Sequence, residues 1–298
     1  MHRPFTAVLV FFCLVLATTT WNIKSLSAAT PTDDLFASIK ANNRSAFDAA
    51  LRKGAKLDAL DEFKNTPLMV AILHGRSPLV ARLIERGAAV NAAGGAGQTP
   101  LILAAQEGQL ANVRLLLGKG ARLAQKDNSG ESAFTRAVLN NQLAVMRELL
   151  ERGADPNQRN WLGFTPVMIA AEQSPEALSF LLDRGGRLRT VARGGLTPLM
   201  LAGLRGNAAT VKILLERGAR PDEVDVRGRS ALMFAVRSPD VLRLLLKHGA
   251  KPGLRDRDGR SARDHALRRG FRSSADLLRR AQPSGRRNTD GSRLHGAP

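Results

Sequence analysis

The sequence predicts an all-α solenoid, in which stacked helix pairs are joined by projecting, hairpin-like turns. Two observations support this prediction. A motif that begins with Thr or Ser recurs every 31 to 33 residues, at Thr66, Thr99, Ser132, Thr165, Thr197, Ser230 and Ser261. A glycine recurs at a constant offset from that motif, at Gly54, Gly87, Gly120, Gly153, Gly185, Gly218 and Gly249. Two periodic markers in a fixed phase indicate an internal structural repeat.

The residues that follow each marker predict two helices per repeat. A Thr or Ser hydroxyl can cap a helix, and a Pro at the first helical position, as in Thr66-Pro67, loses no hydrogen bond. A second apolar run, such as residues 113–117, has the spacing of a buried helix face. The recurring glycine would end that second helix in a left-handed conformation. The segment before the next marker is rich in Asp, Asn, Gly and Arg, which predicts a turn.

One stretch carries a family resemblance. Residues 97–101 (Gly-Gln-Thr-Pro-Leu), with 104–105, 115–117 and 120–121, resemble the ankyrin repeat. The resemblance covers roughly residues 33–281, and it implies two antiparallel helices and a projecting turn per repeat. It further implies a capping repeat over 33–65, repeats beginning at residues 66, 99, 132, 165, 197 and 230, and a C-terminal cap over 261–281.

The sequence departs from the family at one position. Ankyrin repeats often carry His directly after Thr-Pro-Leu, whereas this chain has Met69, Met168, Met200 and Met233 there, with Ile102 and Thr135 in the other repeats. We therefore predict a methionine-rich packing seam between the repeats in place of a polar network.

The N-terminus has the pattern of a targeting segment. Residues 4–20 carry no charge, and Ser27-Ala28-Ala29 resembles a signal-peptidase site. We predict a signal peptide over residues 1–29, a short linker over 30–32, and export, most simply to a bacterial periplasm. The alternative is an inner-membrane anchor formed by residues 4–23. The single cysteine, Cys13, lies in this segment, so the processed chain would contain no thiol.

The chain is strongly basic, with a formal net charge of +19. For most of the chain the simplest interpretation is solvated arginines on exposed helix faces. The end is denser, because residues 247–298 hold 14 Lys or Arg against 5 Asp or Glu. Its candidate contacts with an anionic envelope lipid or polysaccharide are Arg268, Arg269, Arg272, Arg279 and Arg280. Nucleic acid is disfavoured because Phe271 alone could stack on bases, and residues 282–298 are predicted to be a disordered basic tail.

No constellation of residues indicates catalysis. The histidines lie in different repeats without ligand spacing, and no nucleophile elbow or cysteine-based zinc motif is present. The glycine-rich stretch 94–97 and the acidic loop 256–259 fall at repeat turns and are interpreted as ordinary turns. We therefore predict no enzymatic activity, no metal, no cofactor and no small-molecule substrate.

The predicted function is a non-catalytic scaffold that binds another protein through its concave face and turn tips. Candidate contacts are Trp161, Phe164 and Phe63, because large aromatic side chains in a turn are hard to explain by packing within one repeat. Asn128 and Arg193 occupy the turn position of Trp161 in the two neighbouring repeats and are added as flanking contacts. The alternative is that each aromatic ring folds back onto the adjacent repeat.

Overall fold

The computed structural model describes residues 29–282, and it confirms the predicted all-helical solenoid. Sixteen α-helices form eight consecutive antiparallel pairs within these residues. They are α1 (Pro31–Lys40), α2 (Arg44–Arg52), α3 (Pro67–Leu73), α4 (Ser77–Glu85), α5 (Pro100–Gln106), α6 (Leu110–Gly118), α7 (Ala133–Leu139), α8 (Leu143–Glu151), α9 (Pro166–Gln173), α10 (Pro175–Asp183), α11 (Pro198–Arg205), α12 (Ala208–Glu216), α13 (Ala231–Phe234), α14 (Pro239–Lys247), α15 (Ala262–Arg268) and α16 (Arg272–Ala281).

The helices pack in two rows. The odd-numbered helices contact one another in sequence and form the inner row, beside the turns that precede them. The even-numbered helices form the outer row, as α4 with α6 and α14 with α16 show. Since each repeat packs against its immediate neighbours, the inner row and the turns together form one extended face.

Side-chain caps fix where the inner helices begin. The hydroxyl of Thr66 accepts a hydrogen bond from the backbone N–H of Met69, and the same cap recurs at Thr99, Thr165 and Thr197. Ser132 and Ser261 form full capping boxes. Thr30 does the same with Asp33, so α1 begins at Pro31. The predicted linker over residues 30–32 is therefore corrected: these residues are the cap and the first turn of the first helix.

The outer helices end as the glycine spacing predicted. All seven recurring glycines are left-handed, with φ between 82° and 91°. The repeat that begins at Ser230 is two residues shorter than its neighbours, and its inner helix α13 has only four residues. The shortening therefore removes a turn of helix as well as part of the loop.

The core is built from small and flexible apolar side chains. The alanines five residues after each marker are at most 1% exposed at Ala71, Ala104, Ala137, Ala170, Ala202, Ala235 and Ala266. The predicted methionine seam is also buried, since Met69, Met168 and Met200 are fully inaccessible and Met233 is 2% exposed. These residues lie on the inner helices, where neighbouring repeats meet.

Oxidation of the methionine seam is expected to destabilise the array. A sulfoxide at Met200 would place a polar oxygen in a packed, solvent-free interface. Peroxide-treated protein, with sulfoxides at the four positions confirmed by mass spectrometry, should melt at a lower temperature than untreated protein. An unchanged midpoint would contradict the packing role assigned to these side chains.

Three expectations concern segments outside the described residues. The signal peptide over residues 1–29 falls there except for Ala29, as do the alternative anchor over 4–23 and nearly all of the tail over 282–298. Across residues 29–282, every helix falls short of the length and apolar character that crossing a bilayer requires.

Candidate functional site

Five of the seven repeat turns are organised by an Asp or Asn side chain at their first position, and the other two begin with Gly94 and Ala192. The Oδ1 atoms of Asp61, Asp127, Asn160, Asp225 and Asp256 each accept two backbone N–H groups of their own turn, at 2.8–3.0 Å. This pattern is an Asx-type turn, in which the side chain adds to the backbone hydrogen bonds that already close the loop, such as the one from the Gly130 N–H to the Asp127 carbonyl at 2.9 Å. The loop 256–259 is accordingly a repeat turn, as the sequence indicated.

Backbone hydrogen bonds join neighbouring turns side by side. The N–H of Asn128 donates to Ala96 at 3.1 Å, that of Arg193 to Leu162 at 3.2 Å, and that of Val226 to Gly194 at 3.0 Å. The predicted flanking residues Asn128 and Arg193 are therefore exposed members of this ladder. Their place beside Trp161 is fixed by the ladder, and their role as contacts remains a prediction.

Trp161 is exposed, and it also rests on the preceding turn. Its side chain is 56% exposed. A Cβ placed on Gly130 would lie 2.7 Å from Trp161 Cδ2, so the indole covers the Gly130 backbone. The Lys126 ammonium lies 5.3 Å from the ring centroid, within cation–π range. The fold-back alternative thus describes part of this residue, and its role as a partner contact remains a prediction.

The two predicted phenylalanines differ in their surroundings. Phe164 is half-buried and packs against the small cluster of Met168, Ala192 and Leu201, so its ring contributes mainly to packing between repeats. Phe63 is 71% exposed but belongs to the first turn, three turns away from Trp161. The structure therefore does not bring the three aromatic residues together.

The turns carry an exposed apolar strip that the sequence reasoning missed in large part. Leu162 is 58% exposed beside Trp161, and the next two turns expose Val191, Val224 and Val226 at 49–53%. The Lys126 side chain reaches the ring of Trp161 in the next turn, so side chains of neighbouring turns approach one another. We call these five residues, from Trp161 to Val226, the turn strip.

The five arginines that were predicted to contact an anionic lipid or polysaccharide are all exposed, but they lie on two different faces. Arg268 and Arg269, at the end of the inner helix α15, line a cleft beside the last two turns. The other three lie on the outer helix α16, where Arg279 pairs with Asp276 at 3.6 Å. The helix register distinguishes the two groups, and it could have separated them from the sequence.

The carboxylates near this cleft are held ionised by the turns. Burial raises the pKa of Asp225, but hydrogen bonds from Arg229 and Arg227 outweigh it and leave the pKa below the usual aspartate value. Burial likewise raises the pKa of Asp256, and the Arg260 N–H and the His265 ring, 2.6 Å from Oδ2, lower it further than burial raises it.

These lowered pKa values predict loss of stability in acid. A carboxyl whose folded pKa lies below its unfolded value stabilises the fold above the unfolded pKa, and this contribution disappears as the pH falls through the folded pKa. The thermal midpoint should thus be level above about pH 5 and fall below about pH 4. Asp225→Asn should lower the midpoint at neutral pH and flatten this dependence. An acid profile identical to that of the unmodified chain would contradict the assignment.

Nothing within residues 29–282 gathers three or more His, Cys, Asp or Glu side chains that could hold a metal ion. Two of the histidines instead have structural partners. His248 Nδ1 lies 2.9 Å from the carbonyl oxygen of Leu244 at the end of α14, and His265 bonds the turn carboxylate of Asp256.

Paired helices, a ladder of turns and an exposed strip along them define a repeat protein of the helical solenoid class. The family model for ankyrin repeats (3 copies) matches residues 35–127, 95–160, 134–225, 167–256 and 199–285. The chain belongs to the ankyrin-repeat family, whose members are protein-interaction scaffolds with extended binding faces.

A similar solved structure is the crystal structure of the human ASB11 ankyrin repeat domain. It is 26% identical, with a TM-score of 0.68, and the match covers 74% of this chain and 100% of that one. Among curated protein sequences, none matches the chain.

Proposed function

We propose that this chain is a non-catalytic scaffold that binds another protein along its turns and inner helices and acts outside the cytoplasm. The observation that carries the proposal is the turn strip, in which five apolar side chains stay about half or more exposed across three consecutive turns. Exposed apolar surface of this kind is typical of interaction sites, and Trp is the residue most enriched in binding hot spots.

A comparative capture experiment tests this function. The chain is immobilised and exposed to an envelope extract of its source cell, and captured proteins are quantified by mass spectrometry. The variant Leu162→Ser with Val226→Ser should lose the specific partner, because both side chains belong to the turn strip. Ala111→Ser with Glu151→Ser is the control, since both side chains are exposed on the outer helices α6 and α8, away from the turns and the inner helices. Capture that is equal for both variants would contradict the proposal.

The alternative function is attachment of the basic end to an anionic lipid or polysaccharide. Its support is the exposure of Arg268, Arg269, Arg272, Arg279 and Arg280. The salt dependence of binding distinguishes the two candidate functions. Interactions between exposed charges are largely screened beyond about 8 Å at physiological ionic strength, whereas apolar contacts are not screened. Attachment by charge should weaken strongly between low and high salt, and binding through the strip should persist.

We further propose export with cleavage after Ala29. The cap of α1 supports this site, since Thr30, the first residue of the processed chain, already holds Asp33 through its hydroxyl and its backbone N–H at 2.7 and 2.9 Å. Cleavage would therefore leave the first helix complete. N-terminal sequencing of the product should begin at Thr30. A membrane product that retains Met1 would indicate an anchor, and a cytoplasmic product would contradict export.

A further inference from the structure

A basic cleft lies at the C-terminal end of the inner face. The last two turns and helix α15 enclose a volume of about 500 Å³. Its lining is strongly positive, because six arginines face two aspartates, Asp256 and Asp258, together with His265. The arginines are Arg227, Arg229, Arg257, Arg260, Arg268 and Arg269.

Charge pairing within the cleft accounts for only part of this charge. Asp225 binds Arg229 at 2.6 Å and Asp258 binds Arg260 at 2.7 Å. Asp256 has both oxygens occupied, by two turn N–H groups and by His265, so it does not reach an arginine side chain. Four exposed arginines form no ion pair with any residue from 29 to 282, namely Arg227, Arg257, Arg268 and Arg269.

We propose that this cleft binds an acidic segment of the partner protein, whose Asp and Glu side chains pair with these four arginines. The inference rests on the proposed function, because it takes the partner to be a protein that lies along the turns. Arginine suits this role, since its planar guanidinium can donate two parallel hydrogen bonds to one carboxylate.

The cleft begins in the same turn that holds the last residue of the turn strip. Val226, the last residue of the strip, is followed directly by Arg227 in the same turn. The N–H of Arg257 then donates to the Arg227 carbonyl at 2.9 Å, which holds the final turn alongside. A partner segment that covers Trp161 and Val226 therefore reaches the cleft as it continues along the ladder. The complementary segment carries apolar residues next to acidic ones.

The shape of the basic end favours a peptide over a membrane surface. The cleft is recessed between turns and an inner helix, where an extended chain fits but a flat bilayer does not make close contact. Arg272, Arg279 and Arg280 lie on the outer helix α16 and outside this cleft. The arginines of the basic end therefore do not form one plane of charge.

A model peptide tests the cleft independently of the unidentified partner. Fluorescein-labelled hexaglutamate is titrated with the full chain at about 0.1 M salt, where the Debye length is about 10 Å, and fluorescence anisotropy is measured. Arg257→Gln with Arg268→Gln should weaken binding at least about tenfold, because both side chains line the cleft. Arg272→Gln with Arg280→Gln removes the same charge from the same end, outside the cleft, and should change affinity less than about threefold. All four arginines are exposed, so thermal midpoints should be unchanged.

Each outcome of these measurements supports or overturns the cleft proposal. Equal losses in both double variants, or no binding of hexaglutamate, would overturn the cleft as a specific site. Binding of anionic phosphatidylglycerol vesicles that depends on Arg272 and Arg280, without hexaglutamate binding, would assign the charge to a membrane instead. If the unmodified chain does not bind hexaglutamate but partner capture still depends on the turn strip, this inference is wrong and the proposed function stands. If the cleft binds hexaglutamate but partner capture does not depend on the turn strip, the proposed function is wrong and the cleft remains a binding site for acidic peptides.

Discussion

Trp161→Ala is expected to weaken partner binding by about 2–4 kcal/mol, the usual effect of truncating a hot-spot tryptophan. The variant should fold almost as well as the unmodified chain, because the side chain is 56% exposed. The fold loses the packing of the indole on Gly130 and the cation–π pair with Lys126, which is worth about 0.5–1 kcal/mol at an exposed site. Calorimetry with the captured partner and thermal melting measure the two effects.

Phe63→Ala provides the comparison for this prediction. Phe63 is 71% exposed in the first turn and lies outside the turn strip, so its removal should affect binding less than the removal of Trp161. A Trp161→Ala variant that unfolds several degrees earlier and still binds its partner when cold would show that the indole serves packing. The contact role would then be wrong.

Gly130→Ala is expected to destabilise the fold by about 2–4 kcal/mol, more than the same change at Gly259. The two glycines occupy the same turn position and have similar φ values, 79° and 75°. A Cβ at Gly259 meets nothing within 4 Å, so only the left-handed strain of about 1 kcal/mol applies there. A Cβ at Gly130 would lie 2.7 Å from the Trp161 backbone nitrogen and from its indole, so the ladder must shift.

Chemical denaturation of both glycine variants measures this difference. Trp161 is the only tryptophan among the described residues, so a changed emission maximum in Gly130→Ala would report its displacement. In a Trp161→Ala background the penalty at Gly130 should shrink but persist, because the backbone contact remains. Equal losses of stability at Gly130 and Gly259 would contradict the close approach of the two turns.

The fold was predictable because its signals are local. Thr66 caps a helix through its own hydroxyl, and Met200 is buried because its repeat position faces the next inner helix. The site depends on contacts between turns, which the sequence pattern does not display. Whether Trp161 is exposed depends on Gly130 and Lys126 of the preceding turn.

The valines of the strip show the same limit. Val191 and Val224 fall in segments whose composition predicts solvated turns, so the sequence pattern does not single out their apolar side chains. The structure shows that these valines are exposed, in turns that are hydrogen-bonded in series to the turn of Trp161. By contrast, the repeat register alone assigns the arginines of the basic end to two different helices, α15 and α16, without tertiary information.

The cleft spans the junction of the last two repeats, and this placement couples occupancy to local opening. Among the described residues, α15 and α16 have a neighbouring repeat on one side only, and terminal units of a linear array open more readily than central ones. Opening separates Arg268 from Arg227 and dismantles the cleft. A ligand that binds only the closed form raises the free energy of opening by RT ln(1 + [L]/Kd). Occupancy should therefore slow amide hydrogen exchange in the last helix pair and leave the exchange of α1 to α4 unchanged.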